Sequence, residues 1–286
     1  MATIIDGKKL AAEVKERASK DVAELKAQGI EPGLAVVLVG DDQGSATYVR
    51  AKLCDCEQCG IPSRDYKLSG NTTQEELMEL IEKLNADHSV AGILVQMPLP
   101  RHLDAEAVVL AIDPVKDVDG FHPENLGRLV RGLPGLRPCT PAGIMCILDA
   151  YGIDPAGKNA VIVGRSSIVG KPMSLMLLAR DATITVSHSH TDPRELARIC
   201  QSADILVVAC GMAKMVKGPW IKPGATVVDV GMDRDEDGKL CGDVDFDSAE
   251  LVAWAITPVP GGVGPMTRAM LMSNVVLAAR MQHGLD

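Results

Sequence analysis

The sequence predicts an α/β protein of two domains, and three observations carry that expectation. Short, almost wholly apolar runs (Leu34 to Val39, Val90 to Val95, Ala160 to Val163, 204 to 209) alternate with amphipathic stretches at helical spacing. That is the pattern of parallel strands buried on both faces by helices. The segment Arg131 to Pro138 is rich in Gly and Pro and divides the chain, as linkers do. Finally, 286 residues suffice for two domains of ordinary size, each with its own core.

Composition narrows the function classes. Hydrophobic content of 47% with 23% charged residues is that of a globular protein. A net charge of −9, with no cluster of Lys or Arg, argues against nucleic acid or an anionic membrane as partner. Met1 to Asp6 shows no basic region leading into an apolar one, and no run approaches 18 apolar residues; the expectation is a cytoplasmic protein with no membrane span. Eight cysteines in so long a chain make no disulfide framework. Cys54, Cys56 and Cys59 lack a fourth ligand, so no metal is expected. Cys139, Cys146, Cys200, Cys210 and Cys241 are scattered in the manner of small buried apolar residues.

In order, a helix is expected from Gly7 to about Gln28, with Leu10, Val14, Ala18, Val22 and Leu25 on one face and Gly29 as its stop. After the strand Leu34 to Val39 comes a polar loop, then a helix from about Ser45 to Cys59 on which Tyr48 and Lys52 share a face. Thr73 and Glu76 form a capping box for a helix that turns Leu77, Leu80, Ile81 and Leu84 inward. The strand Val90 to Val95 ends in Gln96-Met97-Pro98-Leu99-Pro100, whose prolines forbid further pairing. A short helix from Asp104 to Ile112 precedes the loop Asp117 to Pro123. In open α/β sheets ligands sit beyond the carboxyl ends of strands, which is where Lys52, Gln96 and Asp119 fall or lie close by.

Past the linker, Thr140-Pro141 reads as a cap with proline at the first helical position, and Gly152 closes that helix. The run Asn159 to Pro172 then changes from strand to tight turn to helix within a few residues. Gly164 and Gly170 would let backbone approach a pyrophosphate, and the following helix would offer N–H groups and the positive end of its dipole. Ser166 stands where the usual fingerprint has its second glycine. About 20 residues on, the next strand (182 to 186) ends in Ser187-His188-Ser189-His190, without the acid that NAD sites place there. With Arg165 available to meet a phosphate, the reading is a Rossmann-like dinucleotide-binding domain that takes NADP in preference to NAD. Strands at 225 to 230 and Trp254 to Ile256 follow, then the stiff apolar loop Thr257 to Thr267 and an amphipathic C-terminal helix.

Several of these pieces, in this order, closely resemble the bifunctional methylenetetrahydrofolate dehydrogenase/cyclohydrolase family. They are Tyr48-x-x-x-Lys52, Val95 to Pro100, Asp117 to Phe121, Pro138 to Pro141, Gly164 to Pro172 and the Pro258 to Thr267 loop. The resemblance implies an N-terminal folate-binding catalytic domain (1–138, completed by the C-terminal helix 266–286), a dinucleotide domain (139–265) and a cleft between them. It also implies a cytoplasmic homodimer formed through the second domain, acting in one-carbon metabolism and purine biosynthesis. Lys52 matches the family's essential lysine, Gln96 a partner that hydrogen-bonds it, Tyr48 a ring that stacks on the folate, and Asp119 an acceptor for the pterin N–H groups. A lysine that manages protons near neutral pH must be brought below its ordinary range, which a cationic intermediate and partial desolvation can do. Pro260, Gly261 and Gly262 would line the folate site; Gly164, Arg165, Ser166, Val169, Gly170, Ser189 and Met232 would hold the cofactor.

The chain departs from the family pattern at three places. Gln43-Gly44 replaces the common Pro-Ala, Cys54 a frequent second lysine, and His190 a frequent basic residue. The last loosens the hold on a 2′-phosphate, leaving it to Arg165 and Ser189. The alternatives are an NAD-dependent enzyme, a dehydrogenase without the hydrolytic step, and a folate- or nucleotide-binding protein without turnover. Intact Lys52 and Gln96 argue against the second, and retention of both the folate and the dinucleotide motifs argues against the third.

Overall fold

A computed structural model describes residues 1–285. In chain order its elements are β1 (Thr3–Ile4), α1 (Gly7–Ala27), β2 (Leu34–Val39), α2 (Gln43–Cys59), β3 (Ser63–Leu68), α3 (Gln74–Ala86), β4 (Gly92–Val95), α4 (Ala105–Ala111), α5 (Pro123–Val130), α6 (Cys139–Ala150), β5 (Asn159–Val163), α7 (Gly170–Leu178), β6 (Thr183–Ser187), α8 (Pro193–Gln201), β7 (Ile205–Val208), β8 (Thr226–Asp229), β9 (Asp233–Arg234), β10 (Leu240–Cys241), α9 (Phe246–Glu250), β11 (Ala255–Ile256) and α10 (Val263–Gln282). The chain divides into two compact units. One comprises Ala12–Cys139 with the chain from Arg268 on; the other comprises Met1–Ala11 and Thr140–Thr267. No helix among the described residues is long and apolar enough to cross a membrane.

The first unit is built on a three-stranded parallel sheet of order β3-β2-β4. β2 is buried at all six positions, and its side chains alternate between two cores. Leu34, Val36 and Leu38 join Val22 and Leu25 of α1, Val49 and Cys56 of α2, and Leu271 and Val275 of α10. Ala35, Val37 and Val39 join Leu77, Ile81 and Leu84 of α3 and Val108 of α4. Covering both faces in this way is why β2 reads as an unbroken apolar run. The capping box forms as expected: Thr73 Oγ1 accepts from the Glu76 N–H at 3.2 Å, and Glu76 Oε2 accepts from the Thr73 N–H at 2.9 Å.

The second unit carries a six-stranded parallel sheet of order β1-β11-β8-β7-β5-β6. Val161, Val163, Leu206, Val208 and Val227 pack with Cys200 of α8 and Ala249 of α9. Ala160, Ile162, Val207 and Val228, which alternate with them, are equally buried.

Four features differ from the sequence expectation. The first eleven residues, placed by sequence with the N-terminal domain, go with the second unit because β1 pairs with β11 (Thr3 with Ala255, Ile4 with Ile256). β3 escapes a hydrophobic reading because it is a polar edge strand, Ser-Arg-Asp-Tyr-Lys-Leu, with no buried position. α2 begins earlier than Ser45 because Asp42 is its N-cap, accepting the Ser45 N–H at 2.7 Å. Thr140 does not cap α6, which starts at Cys139; its hydroxyl lies 3.0 Å from that of Thr267.

Candidate active site

In the first unit, α2 sets Tyr48 and Lys52 one turn apart on one face. Lys52 is 8% exposed. Its Nζ donates to Gln96 Oε1 at 3.0 Å, and Gln96 Nε2 donates to the Met97 carbonyl at 2.7 Å. The Gln96 N–H continues the β2–β4 ladder by bonding the Val37 carbonyl at 2.8 Å, so the amide stands on a fixed strand end. Asp119 sits in a loop that the buried Asp117 shapes by accepting from the Gly120 N–H (3.1 Å), the His122 N–H (2.7 Å) and Asn125 Nδ2 (3.0 Å). The neighbouring Val118 carbonyl accepts from Asn274 Nδ2 of α10 at 2.8 Å. Gly120 has φ 77°, and a Cβ there would run into the Arg137–Pro138 backbone, so this turn demands glycine.

The electrostatics follow from burial. Burial pushes the Asp119 carboxyl above the usual carboxylate range; Lys52 pulls it down and Asp117 pushes it up. Lys52 and Asp119 therefore feel each other's charge. Burial likewise raises the Tyr48 hydroxyl, with the Arg268 guanidinium opposing. Cys56 and Cys59 lie buried, their thiols pushed up to about 12 and about 11 chiefly by desolvation, while Cys54 is exposed. Thiols so shifted are poor nucleophiles.

In the second unit, β5 ends at Gly164, whose φ of 125° and close approach leave no room for a side chain: a Cβ would meet the Ala209 carbonyl. Gly170 packs in the same way on the Gly164 carbonyl. Ser166 Oγ accepts from the Val169 N–H (3.1 Å) and the Gly170 N–H (3.4 Å). The first N–H groups of α7, expected to face a pyrophosphate, are thus already bonded to Ser166, and the exposed stretch from Arg165 to Ile168 is what the turn presents. At the end of β6, Ser187 is buried, while Ser189 and His190 are exposed. His188 Nδ1 accepts from the His190 N–H at 3.2 Å, which fixes that ring as a structural acceptor. Met232 is exposed just beyond β8 and lies near Gly264. Pro260 is exposed, Gly261 has φ 114°, and Gly262 donates its N–H to the Pro258 carbonyl at 2.8 Å, closing a tight loop.

The structure thus joins Lys52 to Gln96, sets Asp119 within electrostatic reach of Lys52 and puts Tyr48 on the Lys52 helix face. It joins Ser166 to Val169 and Gly170. Pro260, Gly261 and Gly262 belong to the second unit together with Gly164, Arg165, Ser189 and Met232. Sequence reasoning gave no role to Asn274, or to Asp55 and Arg268, which form an ion pair at 2.8 Å beside this helix face.

Residues 5–119 match the catalytic domain, and residues 138–283 the NAD(P)-binding domain, of tetrahydrofolate dehydrogenase/cyclohydrolase. The chain is 56% identical over 281 residues to the bifunctional protein FolD of Acetivibrio thermocellus, covering 98% of each. The crystal structure of the FolD dehydrogenase/cyclohydrolase of Campylobacter jejuni superposes with a TM-score of 0.96 at 49% identity, covering 99% of this chain and 100% of that one. The Trypanosoma brucei FolD, solved with NADP cofactor and an inhibitor, gives a TM-score of 0.94 at 39% identity, covering 99% and 98%. With both domains matched, the chain belongs to the tetrahydrofolate dehydrogenase/cyclohydrolase family of bifunctional enzymes.

Proposed function

We propose that the chain oxidises 5,10-methylenetetrahydrofolate to 5,10-methenyltetrahydrofolate with NADP and hydrolyses that product to 10-formyltetrahydrofolate. The observation that carries this reading is the buried Lys52 amine held on Gln96 at 3.0 Å within electrostatic reach of Asp119. NADP, when bound, supplies the acceptor for the hydride that leaves the methylene carbon. The residues at the turn suit that cofactor: backbone close at Gly164 and Gly170, an exposed Arg165 guanidinium, an exposed Ser189 hydroxyl, and no carboxylate from Ser187 to Thr191. Ser166 and Val169 shape the turn, and Met232 adds an exposed thioether beyond β8. The NADP complex of the Trypanosoma brucei relative supports the same choice over NAD.

Hydrolysis of the methenyl cation forms one C–O bond, breaks the bond from the bridging carbon to N5 and leaves the formyl group on N10. Of the two protons of water, one ends on N5 and one is released. Lys52 is the group we assign to moving them, taking a proton from the attacking water and returning one to the departing nitrogen. Gln96 fixes the direction of the amine, because its own amide is anchored to the Met97 carbonyl. Asp119 accepts from the N–H groups of the amino-pyrimidine edge, which suits a carboxylate. Tyr48 stacks on the folate, and Pro260, Gly261 and Gly262 line its site. The family resemblance supports a cytoplasmic homodimer, formed through the NAD(P)-binding domain, that supplies one-carbon units for purine biosynthesis. It also supports a catalytic domain that runs up to residue 138 and is completed by the C-terminal helix, and a dinucleotide domain (139–265) to whose sheet β1 adds a strand.

Lys52→Met tests the mechanism. Enzyme-dependent methenyl hydrolysis should fall by about 100-fold or more, the scale of general acid–base assistance, while folate and NADP still bind. Hydrolysis at the unsubstituted rate would overturn the assignment.

A further inference from the structure

α2 carries Tyr48 and Lys52, and the apolar side chains it buries fully are few and small, with Ala46 and Leu53 packed part-exposed at the margin of the core. Its buried residues are Ser45, Val49, Lys52, Asp55, Cys56 and Cys59, of which only Val49 and the two cysteines are apolar, and all three are small. Small side chains make shallow ridges, so they define the rotation and axial register of a helix weakly. Polar bonds take over that task along the same face. Asp55, three residues beyond Lys52 and seven beyond Tyr48, is 3% exposed. Lys15 of α1 donates to its Oδ1 at 2.7 Å, and Arg268 Nη1 of α10 lies 2.8 Å from its Oδ2. That second contact is an ion pair without an aligned N–H, since Asp55 Oδ2 has no hydrogen-bond partner by geometry. Lys15 also donates to Gln58 Oε1 at 2.7 Å, and Arg268 Nη1 donates to the Ala51 carbonyl at 3.3 Å. Three points on α2 (Ala51, Asp55 and Gln58) are therefore tied to its neighbours by directional contacts.

We propose that Lys15, Asp55 and Arg268 are positioning residues for the folate site: the charged network fixes the rotation and register of α2 and so delivers Lys52 to Gln96 and Tyr48 to the substrate. The inference rests on the function proposed above. Ionic contacts specify geometry better than they add stability, because burying charge costs much of what pairing returns. Arg268 also stands beside the Tyr48 hydroxyl closely enough for its charge to act on it, so its loss acts on the substrate-facing end of the helix as well as its middle.

Arg268→Met is the first test, because it leaves the neutral Lys15–Asp55 pair in place. At a temperature well below melting, KM for methylenetetrahydrofolate should rise and kcat for methenyl hydrolysis fall, each by about tenfold, as for a misplacement within a reacting site. NADP affinity should be unchanged, since the cofactor residues lie in the other unit. Arg268→Lys, which keeps the charge but not the fork, should recover part of the loss. Should Arg268→Met fold poorly, Asp55→Leu/Arg268→Met replaces the pair with apolar groups, a change that buried pairs tolerate; it should restore melting temperature without restoring kcat and KM. Kinetics within twofold of the unsubstituted enzyme in a folded variant would overturn the proposal, as would a double variant that recovers stability and activity together. An unsubstituted chain without turnover would instead overturn the functional reading itself.

Discussion

Gln96→Leu isolates the contact on which the site turns. The substitution keeps approximate size and removes two bonds: Lys52 Nζ to Gln96 Oε1 at 3.0 Å, and Gln96 Nε2 to the Met97 carbonyl at 2.7 Å. A hydrogen bond involving a charged group contributes about 1.5–3 kcal/mol. If that bond serves to direct the amine during hydrolysis, its loss lowers the rate by about 10- to 150-fold, at about 1.36 kcal/mol per decade. The second bond is neutral and contributes about 1 kcal/mol, mainly to stability. The assay is enzyme-dependent decay of the methenyl compound, with a thermal melt as control. A folded Gln96→Leu enzyme that hydrolyses within threefold of the unsubstituted rate refutes the reasoning, because Lys52 would then need no partner to direct it.

Three further outcomes follow from the same geometry. Burial raises the Asp119 carboxyl above the ordinary Asp range of about 4, so folate affinity should weaken on acidification before an ordinary aspartate would protonate; calorimetric titrations carried from neutral pH down through the carboxylate range should show that loss, and Asp119→Asn should lack it. Burial pushes Asp229 up to about 7 against the N–H groups of Val244, Gly231 and Asp243. A raised carboxyl favours the protonated native state, so its contribution to stability is present below about pH 4 and lost as pH rises through 7, on the order of 4 kcal/mol at most. Thermal melts should decline across that window, and Asp229→Asn, although less stable, should decline less; an unchanged slope would contradict this. Arg165→Ala should lower the NADP-over-NAD preference by about 10- to 100-fold, the worth of one charge-assisted contact to phosphate, and unchanged selectivity would remove Arg165 from the cofactor site.

The parts legible in the sequence were those whose chemistry is local. β2, β4, β5, β7 and β8 are buried on both sides, so their apolar runs announce them. Thr73 and Glu76 declare a helix start because both halves of the capping box lie within four residues. β1 is two residues long and exists through its pairing with β11, which no local pattern reveals. α5 is short, and its start at Pro123 is capped by His122 Nδ1, an unusual capping group. At the site, Lys52 and Gln96 stood out through their motifs, and the structure supplies their contact. Asp55 did not, because what makes it notable is Arg268, and that arginine meets the same helix at Ala51, 217 positions away in the chain. Ser166 was legible as a departure from glycine, but its use as an acceptor for the first N–H groups of α7 needed coordinates.

The most direct test of the account is one spectrophotometric assay of the purified chain with 5,10-methylenetetrahydrofolate, run in parallel with NADP and NAD. It follows the reduced cofactor first and the decay of the methenyl product second. Reduction with NADP should run well ahead of NAD, followed by methenyl decay faster than in buffer alone. Reduction with NAD alone would contradict the cofactor assignment, reduced cofactor with no accelerated decay would contradict the hydrolytic role of Lys52, and no reduction with either would contradict the enzyme.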